Sequence, residues 1–192
     1  MSDWKERLRG RLEPILRGAD PRPGISAYHD MPFAIFLYDP AAEFAVRREV
    51  NDLAVRLSQV GKRVTRISLS ECLHASVAAA GVSNDELAEL ERSLGTGPIL
   101  ETIRELVNSA APLEDALLER VPADLSPERD VVLLERAGAL YPIYRTSALM
   151  ERLQGRLPVP AVLFYPGTLE GPSGLRFLGV LEAEHNYRPR IF

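Results

Sequence analysis

The chain has 192 residues, 46% of them hydrophobic and 26% charged, which suits one globular domain and excludes a disordered chain. One cysteine, Cys72, excludes an intrachain disulfide and a zinc site built on several thiolates. The net charge of -4 is uneven: residues 82–130 carry twelve carboxylates against four arginines, so the middle of the chain would repel a phosphate backbone.

In chain order, Trp4, Leu8, Leu12, Ile15 and Leu16 share one face and predict an amphipathic helix over 3–17. This opening has no uninterrupted apolar segment, so no signal peptide is expected. No stretch approaches the ~20 apolar residues of a bilayer span, and a cytoplasmic location is the expectation. Residues 19–26, ADPRPGIS, read as a linker. Phe33 to Tyr38 is a continuous apolar run of strand length, with both faces buried as in a parallel sheet. Asp39-Pro40 supplies an N-cap and a proline at the first helical position, Val46, Val50, Leu53, Leu57 and Val60 continue at helical spacing, and Gly61 stops the helix.

Arg63 to Ile67 is a second strand. Ser68 with Glu71, and Ser83 with Glu86, have capping-box spacing and start helices near 69–80 and 84–94. Two more helices are expected near 98–109 and 113–121. Asp130 to Leu134 is a third strand, Ala139 to Leu153 reads as mostly helical, and Pro160 to Tyr165 is a fourth strand. A Gly171 to Gly174 turn leads to a strand over 175–180, and Tyr187 to Phe192 adds a short edge strand. The alternation predicts an α/β, three-layer, mostly parallel mixed sheet, Rossmann-like or P-loop-like without a Walker motif. The final strands are expected to pair antiparallel. The connection from the second strand to the third is about 60 residues, far beyond the ~10–12 a crossover needs. It reads as an acidic helical insertion, 82–130, within a single domain, 1–192.

No catalytic residue, metal ligand set or cofactor site emerges. There is no GxxxxGK[ST], the turn after the first strand is not glycine-rich, and GxSxG is absent. His29, His74 and His185 have no metal-ligand spacing, and Cys72 has no neighbour in sequence that would lower its pKa. Asp39, Ser68, Arg136 and Gly167 fall near strand ends, where α/β sheets bind ligands. For Asp39 the alternative is a plain helix cap. Two segments exceed what folding requires. Arg136, Tyr141, Tyr144 and Arg145 surround a Gly and a Pro just past a buried strand. Tyr187, Arg188 and Arg190 alternate toward an apolar C-terminus. Tyrosine and arginine are favoured at interfaces, while the other reading of the tail is sheet closure with exposed cations.

FAIFLYDP, RAGALYPIYRTSALMERLQ, VPAVLFYPGTLEGPSGLRFLGVL and HNYRPRIF together resemble the B component (BrxB domain family) of BREX bacteriophage-exclusion systems, from about residue 30 to the end. The resemblance implies a non-catalytic adaptor or scaffold in bacterial antiviral defence. Its implied partner is the PglZ-type component of alkaline-phosphatase-like class, with other BREX components beside it. It implies no catalytic residues. A small-molecule or nucleotide-binding α/β domain is the alternative. Direct DNA binding is a third reading, which the acidic middle of the chain argues against.

Overall fold

The computed structural model describes residues 3–26, 32–171, 174–184 and 189–192. It begins with α1 (Asp3–Arg7) and α2 (Glu13–Arg17), joined by a π-helical turn over Leu8–Leu12. The wider turn precedes Pro14, whose ring and missing N–H disfavour a regular ladder. Trp4, Leu8, Leu12 and Leu16 are buried along one side, as their spacing predicts. Residues 19–26 do more than link. Pro21 and Pro23 sit at the start of a single helical turn, α3 (Arg22–Ile25), where no N–H is required, and Ile25 is fully buried.

All six residues of β1 (Phe33–Tyr38) are buried. The Asp39 carboxylate accepts a hydrogen bond from the Ala41 N–H at 2.9 Å, and a 3-10 turn, Pro40–Ala42, leads into α4 (Glu43–Ser58). Gly61, at φ 84°, turns the chain out of that helix. β2 (Arg63–Ser68) and α5 (Leu69–Ala79) follow. The Ser68 hydroxyl accepts from the Glu71 N–H at 3.4 Å, half of the expected box. Ser83 and Glu86 complete both halves at the start of α6 (Asn84–Leu94). α7 (Thr96–Glu105) runs on through a π-helical turn, Leu106–Ala110, before α8 (Leu113–Leu118). After β3 (Asp130–Glu135), the long helix expected over 139–153 is two pieces, a 3-10 segment, Ala137–Leu140, and α9 (Thr146–Leu153). Pro142 lies between them and cannot donate to a helical ladder. The chain ends with β4 (Ala161–Glu170), β5 (Gly174–Phe177) and β6 (Arg190–Ile191).

The six strands found among the described residues form a mostly parallel sheet in the order β2-β3-β4-β1-β6, with β5 antiparallel to the far half of β4. The antiparallel expectation holds for β5. β6 instead runs parallel to β1, Ala34 opposite Arg190, because the chain reverses a second time between β5 and β6. Strand residues alternate between two apolar layers. Phe33, Ile35, Val132, Leu134, Leu163 and Tyr165 face α5, α8 and α9. Ala34, Phe36, Val131, Leu133, Val162 and Phe164 face α1, α2 and α4. Each large side chain so buried contributes ~1.5–3 kcal/mol relative to exposure. Within the acidic 82–130 stretch, Val107, Leu113, Ala116 and Leu117 join the first layer, while α6 contributes no buried residue. Among the described residues no helix is long and apolar enough to cross a membrane.

Charges fasten the N-terminal helices. Glu13 and Glu49 are 5% and 4% exposed. Arg9 grips Glu49 with two hydrogen bonds of 2.8 and 2.9 Å, and Arg56 donates to Glu13 at 2.8 Å and to Glu49 at 3.0 Å. Lys62, also buried, donates to the carbonyls of Gly18, Ala19 and Glu128, tying the end of α2 to the approach to β3. Burial raises the Glu49 pKa, but hydrogen bonds from Arg9 and Arg56 outweigh it and hold the carboxyl below its ordinary 4.5. A carboxyl depressed in the native state binds protons more readily when unfolded. Its stabilisation is therefore full above about pH 4.5 and is lost as pH falls through the lower native value. In urea denaturation, Glu49→Gln is expected to lose about 1–3 kcal/mol at neutral pH, a range kept modest because Arg9 stays largely exposed. The variant should also show a flatter decline in stability below about pH 4.5 than wild type.

Candidate functional site

Neighbouring strands β1 and β4 send the chain in different directions at their carboxyl ends. β1 leads to α4 on one face, and β4 leads into the β5 hairpin. Such a divergence leaves a crevice at the strand ends. Here the β4–β5 hairpin and the 3-10 segment after β3 divide that end of the sheet into two recesses.

The first recess has a volume of about 340 Å³ and is walled by Tyr141, Tyr144, Arg145, Tyr165 and Phe177, with Arg104 reaching in from α7. Tyr165 is buried, its ring edge-on to Phe177 at 5.0 Å between centroids. The Tyr144 hydroxyl donates to Glu114 at 3.3 Å, and the Arg152 guanidinium lies 5.9 Å from its ring centre. Burial, and then the Glu114 charge, push the Tyr144 phenol up to about 12, so it serves as a neutral wall. Arg104 donates to the Pro142 carbonyl at 2.8 Å, fixing the loop that carries both tyrosines. Tyr141 is 41% exposed at the rim. Arg145 is largely exposed and meets Glu184 at 3.5 Å. The recess thus has an aromatic floor and a charged rim, chemistry suited to receiving a side chain or ring.

The second recess, of about 280 Å³, opens on the other side of the hairpin and is lined by Pro40, Glu43, Phe44, Arg47, Arg136, Pro166 and Leu178. Arg136 has a left-handed backbone, φ 62° and ψ 36°, at the end of β3. The Glu43 carboxylate is taken up by the Tyr38 hydroxyl.

The structure therefore brings Tyr141, Tyr144 and Arg145 together and places Arg136 in a separate recess. Asp39 caps the turn before α4, while its neighbour Pro40 lines the second recess. Ser68 ends β2, the edge strand farthest from β1 in the path through β3 and β4, and lines neither recess. Gly167 is buried in β4 and lines neither recess. Arg190 is exposed on β6, donates to the Gly24 carbonyl at 2.8 Å and stacks on Phe192 at 4.8 Å. Tyr187 and Arg188 lie outside the described residues. Cys72 is buried, and burial pushes its thiol up to about 11.

Sequence reasoning missed Arg104, Phe177, Phe44, Arg47 and Leu178. Only Phe44 carried a signal: it falls off the Val46–Val50–Leu53–Leu57 stripe and is 73% exposed. A large apolar residue on the outside of a helix invites a question that folding does not answer.

A model of the family described as BREX protein BrxB matches residues 65–191, a span that holds the first recess and the Arg136–Leu178 side of the second. Comparison with curated proteins and with solved structures gives no match.

A Cβ on Gly167 would lie 2.4 Å from the Arg176 carbonyl oxygen and 2.6 Å from the Tyr165 ring. Gly167→Ala is expected to destabilise the protein by about 1–3 kcal/mol in thermal or urea melts, since backbone must move to admit the methyl. An unchanged melting temperature would show that the hairpin has slack.

Proposed function

Since the chain belongs to the BREX protein BrxB family, a component of BREX defence, we propose that it serves there as a non-catalytic adaptor whose direct partner is the PglZ-type, alkaline-phosphatase-like component. It works in the cytoplasm beside the other components of the system. The observation that carries this reading is the first recess with its surroundings. An aromatic floor is rimmed by exposed Tyr141 and Arg145, and the adjoining loop after β5 exposes Val180 (65%) and Leu181 (36%). Tyrosine and arginine around a concave aromatic site are the residue types that concentrate binding energy in protein interfaces. The wall is braced by Arg104, which donates to the Pro142 carbonyl, and by Glu114, which accepts from the Tyr144 hydroxyl. A preformed pocket loses little entropy when it is filled. In this reading the partner inserts an apolar or aromatic side chain, and Arg145 exchanges its weak surface pair with Glu184 for a carboxylate of the partner.

The test is size-exclusion chromatography with light scattering, on the protein alone and mixed with the PglZ-type protein of its own system. A stoichiometric complex is expected. Tyr141→Ala with Arg145→Ala should weaken it by about 30-fold or more, the effect of losing one interface hot spot, with an unchanged melting temperature. Separate elution of the wild-type proteins would sink the partnership, and undiminished association of the double variant would move the interface elsewhere.

A further inference from the structure

We infer that the second recess, between the carboxyl ends of β1, β3 and β4, is a binding site for a phosphate monoester carried on a flat ring, a ligand of the nucleoside-monophosphate class. The argument begins with the arginines. Most of those described are engaged: Arg9, Arg56, Arg63, Arg66, Arg152 and Arg176, for example, each bind a carboxylate. Arg47 and Arg136 make no hydrogen bond or ion pair with any described residue, yet both are partly buried. Arg11 and Arg48 also lack a partner among the described residues, but they are exposed to solvent. Two partly buried arginines, neither with an acceptor among the described residues, line one recess. Their forked donors match the oxygens of a doubly charged phosphate.

Backbone geometry points to the same place. Among the described residues, Arg136 (φ 62°) and Leu178 (φ 52°) are the non-glycine positions with left-handed backbone. Both line this recess. For a bulky residue such as Leu178 that conformation is an outlier, held here by a turn in which Gly179 is also left-handed (φ 72°) and the Val180 N–H donates to the Phe177 carbonyl at 3.1 Å. Here the Leu178 N–H donates to the Pro166 carbonyl at 2.9 Å, and its side chain closes on the Gly138 position. The floor is set before any ligand arrives.

The ring follows from the remaining lining. Pro40, Pro166 and Leu178 are apolar, and Phe44 adds an aromatic ring that is 73% exposed. Glu43, the carboxylate in the lining, accepts from the Tyr38 hydroxyl and lies four residues before Arg47 on α4, while Asp39 accepts from the Ala41 N–H. The lining thus holds two guanidiniums against one carboxylate, and neither arginine is ion-paired with a described residue. At about 280 Å³ the recess sits just below the ~300 Å³ lower bound of small-molecule sites, which suits one phosphate and one ring system better than a dinucleotide. This site is separate from the proposed partner surface, so neither inference depends on the other.

The experiment is isothermal titration and thermal-shift measurement on the full chain with AMP, GMP, CMP and UMP, and with inorganic phosphate and adenosine as the halves of the ligand. At least one mononucleotide is expected to raise the melting temperature and to bind at least roughly tenfold more tightly than either half. Arg47→Gln, and Arg136→Asn, which tolerates the left-handed backbone, should each weaken that binding by about tenfold or more. Phe44→Ala should weaken the mononucleotide and leave inorganic phosphate unaffected. Flat melts and no heat with every mononucleotide at millimolar concentration would overturn the inference. So would undiminished binding by folded Arg47→Gln, or inorganic phosphate binding as tightly as the mononucleotide.

Discussion

Three parallel strands that are apolar on both faces set the terms for the rest of this molecule. Every described residue of β1 and β3, and the first seven of β4, is buried, so each face of the sheet must be roofed by helices. α4 covers one side of β1, β3 and β4, but one helix cannot roof all of that face, and the N-terminal helices complete it through Trp4, Leu8, Leu12 and Leu16. α5, α8 and α9 cover the other. A chain that must serve both faces leaves β1 and β4 in different directions. The division at their carboxyl ends is thus a consequence of burying the strands.

Electrostatics is layered on that frame. β2 is an edge strand, and its arginines protect the edge by pairing with β3. Arg63 bonds to Asp130, its register partner, and Arg66 to Glu135. Asp130 is 1% exposed. Burial favours its neutral form, but bonds from Arg63 and the Ser126 N–H hold its pKa below the ordinary value. Charges placed inward on an edge strand also discourage pairing with another chain. The arginine-rich composition is therefore largely consumed inside the molecule. What remains available at the carboxyl end of the sheet, Arg145 on one side of the hairpin and Arg47 with Arg136 on the other, stands out against that background.

Membership of the BREX protein BrxB family makes the chain a component of a defence system and leaves its contacts open. The two recesses suit different tasks. One has an aromatic floor, an exposed Tyr/Arg rim and a neighbouring aliphatic loop, a combination suited to a protein. The other has two partly buried arginines against one glutamate and an exposed phenyl ring, a combination suited to a small anion with a flat body. Both share the β4–β5 hairpin as a wall, with Tyr165 and Phe177 on one side and Pro166 and Leu178 on the other.

The sequence by itself determined the strands, most helices and the layered class. Runs such as Phe33–Tyr38, caps such as Asp39 and Ser83, and stops such as Gly61 are local signals, decided within a few residues by sterics and backbone hydrogen bonding. It also marked Tyr141, Tyr144 and Arg145 as more than folding requires. It mistook 19–26 for a bare linker, because one buried side chain, Ile25, is enough to fix a helical turn, and that burial is invisible without the neighbour that covers it. It read 139–153 as mostly helical, since the apolar spacing on either side of Pro142 outweighed the break. The strand order, the parallel docking of β6, the separation of Arg136 from Tyr141 and the meeting of Arg47 with Arg136 belong to the tertiary structure alone. Arg47 and Arg136 are brought together only because β1 lies beside β4 and α4 leaves from that point. No spacing in the chain encodes that adjacency: it arises when distant strands bury their apolar faces side by side.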